Sequence, residues 1–391
     1  MQKRDYCGNR PTKLRLLFID FFVDFFRSTF GDKRTKASVL PKKILLFNFG
    51  HLGDMLMMGY MINALKQNFP EIEIHLVAGS WCKDLTEKNE LFDKIFYLNH
   101  HKTNRSSASK FAKFRLYLND IFAFINTQKH QFYTHSFDFR YSGHNANILL
   151  PFLNIDKKIG FGTVGYGGFL DQEYFIPQQN SHTIDIQAQG LNSIGISINS
   201  KLIEPKIFLP KDVSNLFLLN IDSPFFMIFP EAGADIKMVN HEFWVRIINI
   251  LVEKKVDAKI VICGLTEYSK ELILKLSKKS CHENIVDAIG KLSILQINSL
   301  LQKSLGAITL DSFPAHLASA QTPTLCLFKD GFGLEYLPIN KFPVVVIHNH
   351  TPSKNIKDFR PEMNIGYISS FETSDSFIDI VQGLKNVFSL N

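Results

Sequence analysis

From Lys42 onward the chain alternates short apolar runs with longer amphipathic stretches, and that rhythm admits few folds. Ile44–Phe49 is an apolar run of the kind that a parallel strand, buried on both faces, requires. Asp54–Phe69 carries a helical pattern that Pro70 stops, and Glu73–Ala78 is a second strand, completing a βαβ unit. Further strands are expected at Lys94–Leu98, Phe132–Phe137 and Lys158–Phe161, with a helix over Phe111–Asn126. The stretch 199–222 holds Pro205 and Pro210, with Pro224 at its edge, and shows little regular pattern, which marks a junction. The alternation then restarts. Strands are expected at Phe225–Phe229, Lys259–Cys263, Ile285–Asp287, Ala307–Leu310, Thr324–Phe328 and Val344–Ile347, with helices near 241–254, 267–279 and 293–303.

This reading divides the chain into four parts. Residues 1–40 form an extension, 41–210 a Rossmann-like domain, 211–373 a second one, and 374–391 a last helix covering Ser374–Ser389. The fold class is α/β, two doubly wound domains facing a central cleft. Ligands of such sheets bind at the carboxyl ends of the strands. Two turns there carry most of the information: Gly50-His51-Leu52-Gly53-Asp54 and Asp311-Ser312-Phe313-Pro314-Ala315-His316.

Composition narrows the class. Of 391 residues 45% are hydrophobic and 21% charged, which excludes a disordered chain. A net charge of +7 is modest at this length; it suits acidic substrates or an anionic membrane surface and does not by itself indicate nucleic acid. The 36 phenylalanines are spread along the chain and read as codon bias and core filling. The five cysteines (Cys7, Cys82, Cys263, Cys281, Cys326) are widely separated and form no C-x-x-C pair, as expected of reduced cytosolic thiols. No cleavable signal peptide is visible, and no uncharged run approaches the roughly 20 residues of a membrane span.

Within the extension, Leu14 to Phe30 is largely apolar, with Asp20, Asp24 and Arg27 at i, i+4 and i+7 as one polar stripe of a helix. Basic residues flank it: Lys3, Arg4, Arg10, Lys13 and Arg15 before, Lys33, Arg34, Lys36, Lys42 and Lys43 after. The apolar face either lies on an anionic inner leaflet or packs on protein, its own body or a second copy; the sequence leaves both open.

Each candidate site residue has a plain structural role beside its chemical one. Asp54 begins a helix and so serves as an N-cap, yet at a strand's carboxyl end it can also take a proton from a substrate hydroxyl. Gly50 and Gly53 bracket that turn and let backbone approach a ligand. Lys237, in Pro230-Glu-Ala-Gly233-Ala-Asp-Ile-Lys237, is either a solvated lysine or the charge that neutralises a departing diphosphate. Ser312 and the amides of the following helix start form an anion site, with Pro314 well placed there. His316 either bonds a ligand hydroxyl or is a satisfied helix histidine. Gly160-Phe-Gly162-Thr-Val-Gly165 spells G-x-G-x-x-G, but Tyr166-Gly167-Gly168 follows instead of a helix, so it is expected to be a flexible loop near the cleft. His100, His101, His348 and His350 lack a third ligand at metal spacing. The chain has no D-x-D pair, no G-x-S-x-G elbow and no P-loop.

In order and spacing these segments resemble glycosyltransferase family 9, the ADP-heptose:lipopolysaccharide heptosyltransferase family, from about Lys42 onward. The family's opening S/H-L-G-D is matched by His51-Leu52-Gly53-Asp54 and its central I-G-F by Ile159-Gly160-Phe161. Its P-G-A-x-x-x-K stretch is matched by Pro230 to Lys237, ending at Trp244. Its G-x-x-E is matched by Gly264-Leu265-Thr266-Glu267, and its D-S/T-G-P-x-H-L-A by Asp311 to Ala318. The resemblance implies a GT-B fold and inverting, metal-independent transfer from a nucleotide sugar, ADP-heptose first, with no cofactor. It implies Asp54 as general base and Lys237, with Ser312, at the leaving diphosphate. It places Glu267 at the ribose, Leu292 near the adenine, and Gly233, Asp311, Phe313 and His316 around the donor. Gly50, His51 and Gly53 form the acceptor-side loop. Three positions depart from the family: Phe313 stands where it has glycine, Val239-Asn240 where it has tryptophan and proline, and Phe328-Lys329-Asp330 where it has F-G-P. Phe313 is expected to reshape the donor pocket.

The function expected is transfer of a sugar, heptose first, onto a lipopolysaccharide-core or lipid-linked glycan by a cytoplasmic enzyme, peripheral on the inner face of the bacterial inner membrane. The alternatives are a related transferase with another nucleotide sugar and a capsule or protein acceptor, and a catalytically silent GT-B scaffold that docks a partner through residues 1–40.

Overall fold

The structure, a computed structural model, describes residues 4, 6, 8–30, 40–87, 89–141, 143–174, 182–192, 197–199, 203–207, 209, 219, 221–255, 257–278, 282–329, 334–349, 364–371 and 373–389. Lys33, Arg34, Lys36, Cys7, Cys281, Asp330, His350 and most of the 199–222 junction lie outside them. The chain divides into two compact units, Met1–Ile203 and Glu204–Asn391.

The first unit holds β1 (Lys43–Asn48), β2 (Glu73–Ala78), β3 (Lys94–Tyr97), β4 (Phe132–Asp138), β5 (Asn154–Phe161) and β6 (Gln172–Tyr174). These form one parallel sheet in the order β3-β2-β1-β4-β5-β6. β1 is buried from Ile44 to Asn48, which explains its apolar run. Its helices are α1 (Arg10–Phe30), α2 (Leu52–Asn68), α3 (Lys83–Thr86), α4 (Lys110–Gln128) and α5 (Thr183–Asn192). Leu45, Phe47, Val77, Tyr133 and Ile155 share one core with Phe124 of α4.

The second unit holds β7 (Phe225–Phe229), β8 (Lys259–Ile262), β9 (Ile285–Asp287), β10 (Gly306–Leu310), β11 (Thr324–Phe328), β12 (Val344–His348) and β13 (Asn364–Tyr367). They too are parallel, ordered β13-β12-β11-β10-β7-β8-β9. Its helices are α6 (His241–Lys254), α7 (Glu267–Leu276), α8 (Ile294–Leu301), α9 (Phe313–Ser319) and α10 (Ser374–Phe388). Trp244 is fully buried among Ile228, Ile260, Ile308 and Leu325. Each such aliphatic side chain contributes about 1.5–3 kcal/mol by leaving water.

Both sheets run outward from their first strand in one direction, then return to its other side. That reversal is a topological switch point, where neighbouring strand ends diverge and leave room for a ligand. It falls between β1 and β4 in the first unit and between β7 and β10 in the second. The expected α/β class, two doubly wound parallel sheets, is what the chain adopts.

One expectation needs correction. The glycine-rich stretch is not a flexible loop: it is the end of β5 followed by 3-10 turns at Gly162–Val164 and Gly167–Phe169, and it forms the seat of α1. A Cβ at Gly165, whose φ is +86°, would come within 2.7 Å of Leu16, and one at Gly168 within 2.7 Å of Val23. Only glycine lets the helix lie this close, and only glycine takes that φ without strain.

The sequence left open how α1 faces. Its polar stripe points inward. Arg4 donates to Asp24 (2.6 and 3.0 Å) and to Glu173 (2.7 and 3.0 Å), and Tyr6 donates to Asp20 at 2.9 Å. Arg27 donates to the Gly168 and Leu170 carbonyls. Burial works against the Arg4 charge, but the Asp24 and Glu173 carboxylates outweigh it and raise its pKa. Leu17, Phe18, Phe21, Phe22, Phe25 and Phe26 are left exposed on the other side.

Candidate active site

In the first unit the Asp54 turn sits at the switch point. β1 ends at Asn48, whose Oδ1 accepts from the Gly50 amide at 2.9 Å and holds the chain in its turn. α2 then starts at Leu52, two residues before the expected Asp54. His51 is therefore the N-cap and Gly53 the second helical residue. Asp54, the third, is not the cap: it reaches back so that its Oδ2 accepts the His51 amide at 2.8 Å. This return is possible because residue 50 is glycine: a Cβ there would lie 2.5–2.7 Å from the Asp54 side chain.

The other oxygen of Asp54 meets a partner that sequence reasoning did not name. Arg140 Nη1 lies 2.7 Å from Asp54 Oδ1. Arg140 stands two residues past the end of β4, the strand beside β1, so the sheet order itself brings positions 54 and 140 together. A basic residue just beyond a strand was the available signal, but it needed the strand order to be read. Asp138 fixes the Arg140 backbone, accepting its amide at 2.9 Å and that of Ala146 at 2.5 Å. Burial pushes the Asp138 carboxyl up to about 7, against the pull of those amides. Trp81 was also missed: its indole N–H donates to the Gly50 carbonyl at 2.8 Å, and its ring stands 6.3 Å from that of His51. Burial and the Arg105 charge hold His51 below the ordinary histidine value, against the pull of Asp54. The Asp54 carboxylate is thus gripped by one amide and one guanidinium while its side chain stays 19% exposed, able to meet a hydroxyl.

In the second unit the same topology assembles the other group. Lys237 follows β7 in a 3-10 turn, Asp311 follows β10, and Lys237 Nζ lies 2.6 Å from Asp311 Oδ2. Asp311 is nearly buried and Lys237 partly exposed. Ser312, the N-cap of α9, contacts the Glu231 and Leu310 carbonyls at 3.4 and 3.3 Å. Gly233 is exposed in the Lys237 turn, Phe313 is a half-buried first residue of α9, and His316 is buried on that helix.

Glu267 and Leu292 lie at the starts of other helices of the same unit. Glu267 opens α7, is largely exposed and pairs with Lys270 at 2.6 Å; Leu292 is half-buried just before α8. The acidic group built into the turn before α7 is Glu231. It accepts from the amides of Leu265 and Thr266 and from the hydroxyls of Thr266 and Ser269. Burial opposes its charge, but these donors outweigh it and lower its pKa. Where the sequence departs from the expected pattern, Val239 joins the core and Asn240 caps α6, accepting the Phe243 amide at 2.8 Å. Lys329 extends from the end of β11 to donate to the Met238 carbonyl at 3.0 Å, beside Lys237 in sequence.

The glycosyltransferase family 9 (heptosyltransferase) profile matches residues 149–364. The chain belongs to glycosyltransferase family 9. It is a glycosyltransferase whose Lys237 and Asp311 segments lie inside the matched region and whose Asp54 turn lies before it. Among solved structures, it is similar to the Escherichia coli ADP-heptose lipopolysaccharide heptosyltransferase II at 15% identity and TM-score 0.66, covering 89% of this chain and 98% of that one. A family 9 glycosyltransferase from Veillonella parvula gives 13% identity and TM-score 0.66, covering 91% and 99%. The E. coli heptosyltransferase WaaC with ADP gives 13% and 0.63, covering 87% and 99%. These likenesses establish the fold, and the family is that of the matched profile. Curated protein sequences give no match.

Proposed function

We propose that this family 9 glycosyltransferase moves a sugar, heptose from ADP-heptose, onto a hydroxyl of a lipopolysaccharide-core or other lipid-linked glycan, with inversion at the anomeric carbon. The observation that carries the reading is the pair of charge assemblies at equivalent switch points: Asp54 with Arg140 after β1 and β4, Lys237 with Asp311 after β7 and β10. Asp54 takes the proton of the acceptor hydroxyl as its oxygen bonds to the anomeric carbon. The bond from that carbon to the diphosphate breaks on the opposite side, and the nucleoside diphosphate leaves with the electron pair. Lys237 neutralises the charge that develops there, a task that needs no metal when an ammonium is held in place. Arg140 is a positioning residue, since it acts by fixing the Asp54 carboxylate. ADP as the nucleotide is supported by the similar WaaC structures, one with ADP and one with ADP-2-deoxy-2-fluoro heptose. The proposed place of work is the inner face of the bacterial inner membrane.

Two measurements test the proposal. In thermal-shift screening, ADP-heptose at a hundred times its dissociation constant should stabilise the chain by about 2.7 kcal/mol, and UDP-, GDP- and CDP-sugars by less. A larger shift with one of those would move the donor assignment. Asp54→Asn should lower transfer by roughly 10²–10⁴-fold with the melting midpoint nearly unchanged. Retained turnover would end the general-base assignment.

A second reading of the donor has its own observation. Lys329 and Phe313 stand where the family pattern has glycines, and Lys329 brings a second ammonium to the carbonyl of Met238, the residue after Lys237. These changes favour a nucleotide sugar other than ADP-heptose, and the same screen decides between the two.

A further inference from the structure

α1 is docked the wrong way round for an ordinary amphipathic helix. Its charged stripe, Asp20, Asp24 and Arg27, is taken up by Arg4, Tyr6 and the glycine-rich turns, while its aromatic face is turned to solvent. Phe18 is 66% exposed, Phe21 64% and Phe25 58%, with Leu14 and Leu17 beside them. Edge-to-face contacts between Phe18 and Phe22 (4.9 Å) and between Phe21 and Phe22 (5.6 Å) make these rings one continuous ridge. A contiguous apolar surface of this kind on a soluble fold marks an interaction site. The turns that seat α1 also touch the 3-10 stretch Asn147–Phe152, which packs against α4. That helix has its own exposed Phe111, Phe114 and Phe122.

The charge around the ridge selects the occupant. Arg10, Lys13 and Arg15 are exposed at the start of α1, and Lys110 and Arg115 on α4. Arg15 also stands close enough to Lys102 to help burial lower that lysine's pKa. The two acidic residues of α1 are already bound to the body, so the outward side is aromatic and basic. Among the described residues no helix is long and apolar enough to cross a membrane, and α1 could not do so without stripping Asp20 and Asp24 from Arg4. Lying flat, it presents about 32 Å of helix.

We propose that the outward face of α1 is a membrane-docking surface that inserts its phenylalanines into the headgroup boundary of an anionic bilayer, with the basic residues at its rim on the lipid phosphates. The chemistry is that of an interfacial helix, in which buried apolar area and attraction to anionic lipid act together. The glycine-rich stretch gains a purpose from this: it is the socket that fixes the helix on the enzyme with its aromatic side outward. The surface deepens the reading of a lipid-linked acceptor. The basic residues lead towards the acceptor-side turn within the same unit, since His144 feels the charges of Lys102, Arg140 and Arg15, and His51 those of Arg105 and Arg140.

Co-sedimentation of the full chain with vesicles, without donor or acceptor, tests the surface separately from the reaction. Vesicles of 30% phosphatidylglycerol in phosphatidylcholine should bind the protein at least tenfold better than pure phosphatidylcholine, and added salt should weaken that binding. The triple variant Phe18→Ser/Phe21→Ser/Phe25→Ser should lose tenfold or more of it while keeping the wild-type melting midpoint, because those rings do not carry the docking of α1. Lys13→Gln/Arg15→Gln should lose the preference for anionic lipid. Wild-type protein that stays in the supernatant with both vesicles overturns the proposal, as does a triple variant that binds like wild type. So does a wild-type dimer that the triple variant makes monomeric without any vesicle binding, since a second copy would then be the occupant.

Discussion

Lys237 and Asp311 hold each other at 2.6 Å, and the pair has both a structural and a chemical consequence. Asp311 is nearly buried, so Lys237→Met strands its carboxylate and should cost on the order of 1–3 kcal/mol in denaturant unfolding. Adding Asp311→Asn removes the stranded charge and should restore most of that stability. Turnover should behave differently. The double variant should stay about 10²-fold or more below Asp311→Asn alone, because the ammonium at the leaving group is gone, while Lys237→Arg keeps part of the rate. A double variant as active as Asp311→Asn would reduce Lys237 to a structural partner. Gly50 gives the parallel test on the other side. Its Cβ would meet the Asp54 carboxylate, so Gly50→Ala should displace that group and lower kcat by about tenfold or more, at a stability cost of roughly 1–2 kcal/mol.

At the scale of elements, the docking of α1 depends on one arginine. Arg4 joins Asp24 and Glu173 and stands 3.7 Å from Asp20. Arg4→Ala leaves Asp20, almost fully buried, without its cation, at a cost on the order of 3 kcal/mol. That cost falls on one helix, so cleavage within α1 by a dilute protease should accelerate tenfold or more while the central sheet keeps its exchange protection. Equal loss of protection in β1 and β4 would show that α1 is part of the global unfolding unit instead. The same helix shows what a sequence can and cannot reveal. Its two stripes were legible from spacing alone, but which stripe meets protein was not, because the answer lies in Arg4 and in glycines over a hundred residues away. β2, β7 and β11 fall where their apolar runs end, since strands buried on both faces leave no choice of residue. β6, of three residues, and β13, of four, lie at sheet edges and bury too little to leave a pattern. Of the charge assemblies, Asp54 and Lys237 stand out beside their glycines, whereas Arg140 becomes visible only once β4 is laid beside β1.

At the scale of the whole molecule, the lowered histidines lie in the first unit. Burial there lowers His100 to about 3, and His135 and His144 to about 4; neighbouring charges add to this, the other histidines of the stack and Lys102 at His100, Lys157 at His135. The rings of His100 and His144 stack at 4.9 Å, so protonating both places two charges face to face. A histidine whose pKa is lowered by folding contributes stability that is complete above the unfolded value of about 6.5 and is lost as pH falls towards the folded value. Asp138 runs the other way. Raised to about 7, it keeps a proton in the folded state that the unfolded chain gives up above about 4, so its contribution declines as pH rises across that window. Burial also lowers His51, His75 and His101 and raises the Asp20 and Glu173 carboxyls, so six histidines oppose three carboxyls below pH 6.5, and the net effect is acid destabilisation of up to roughly 1.4 kcal/mol per pH unit for each net proton. The two tryptophans, Trp81 and Trp244, stand one in each unit, so a Trp244→Phe chain reports on the first unit alone. Its urea midpoint should fall steadily from pH 6.5 to 4 and level off above 7. His100→Phe, which keeps an aromatic ring against Phe49 and Tyr117, should flatten that slope, and Asp138→Asn should steepen it. A slope that His100→Phe leaves unchanged would mean that the acid transition belongs to other groups than the stacked histidines.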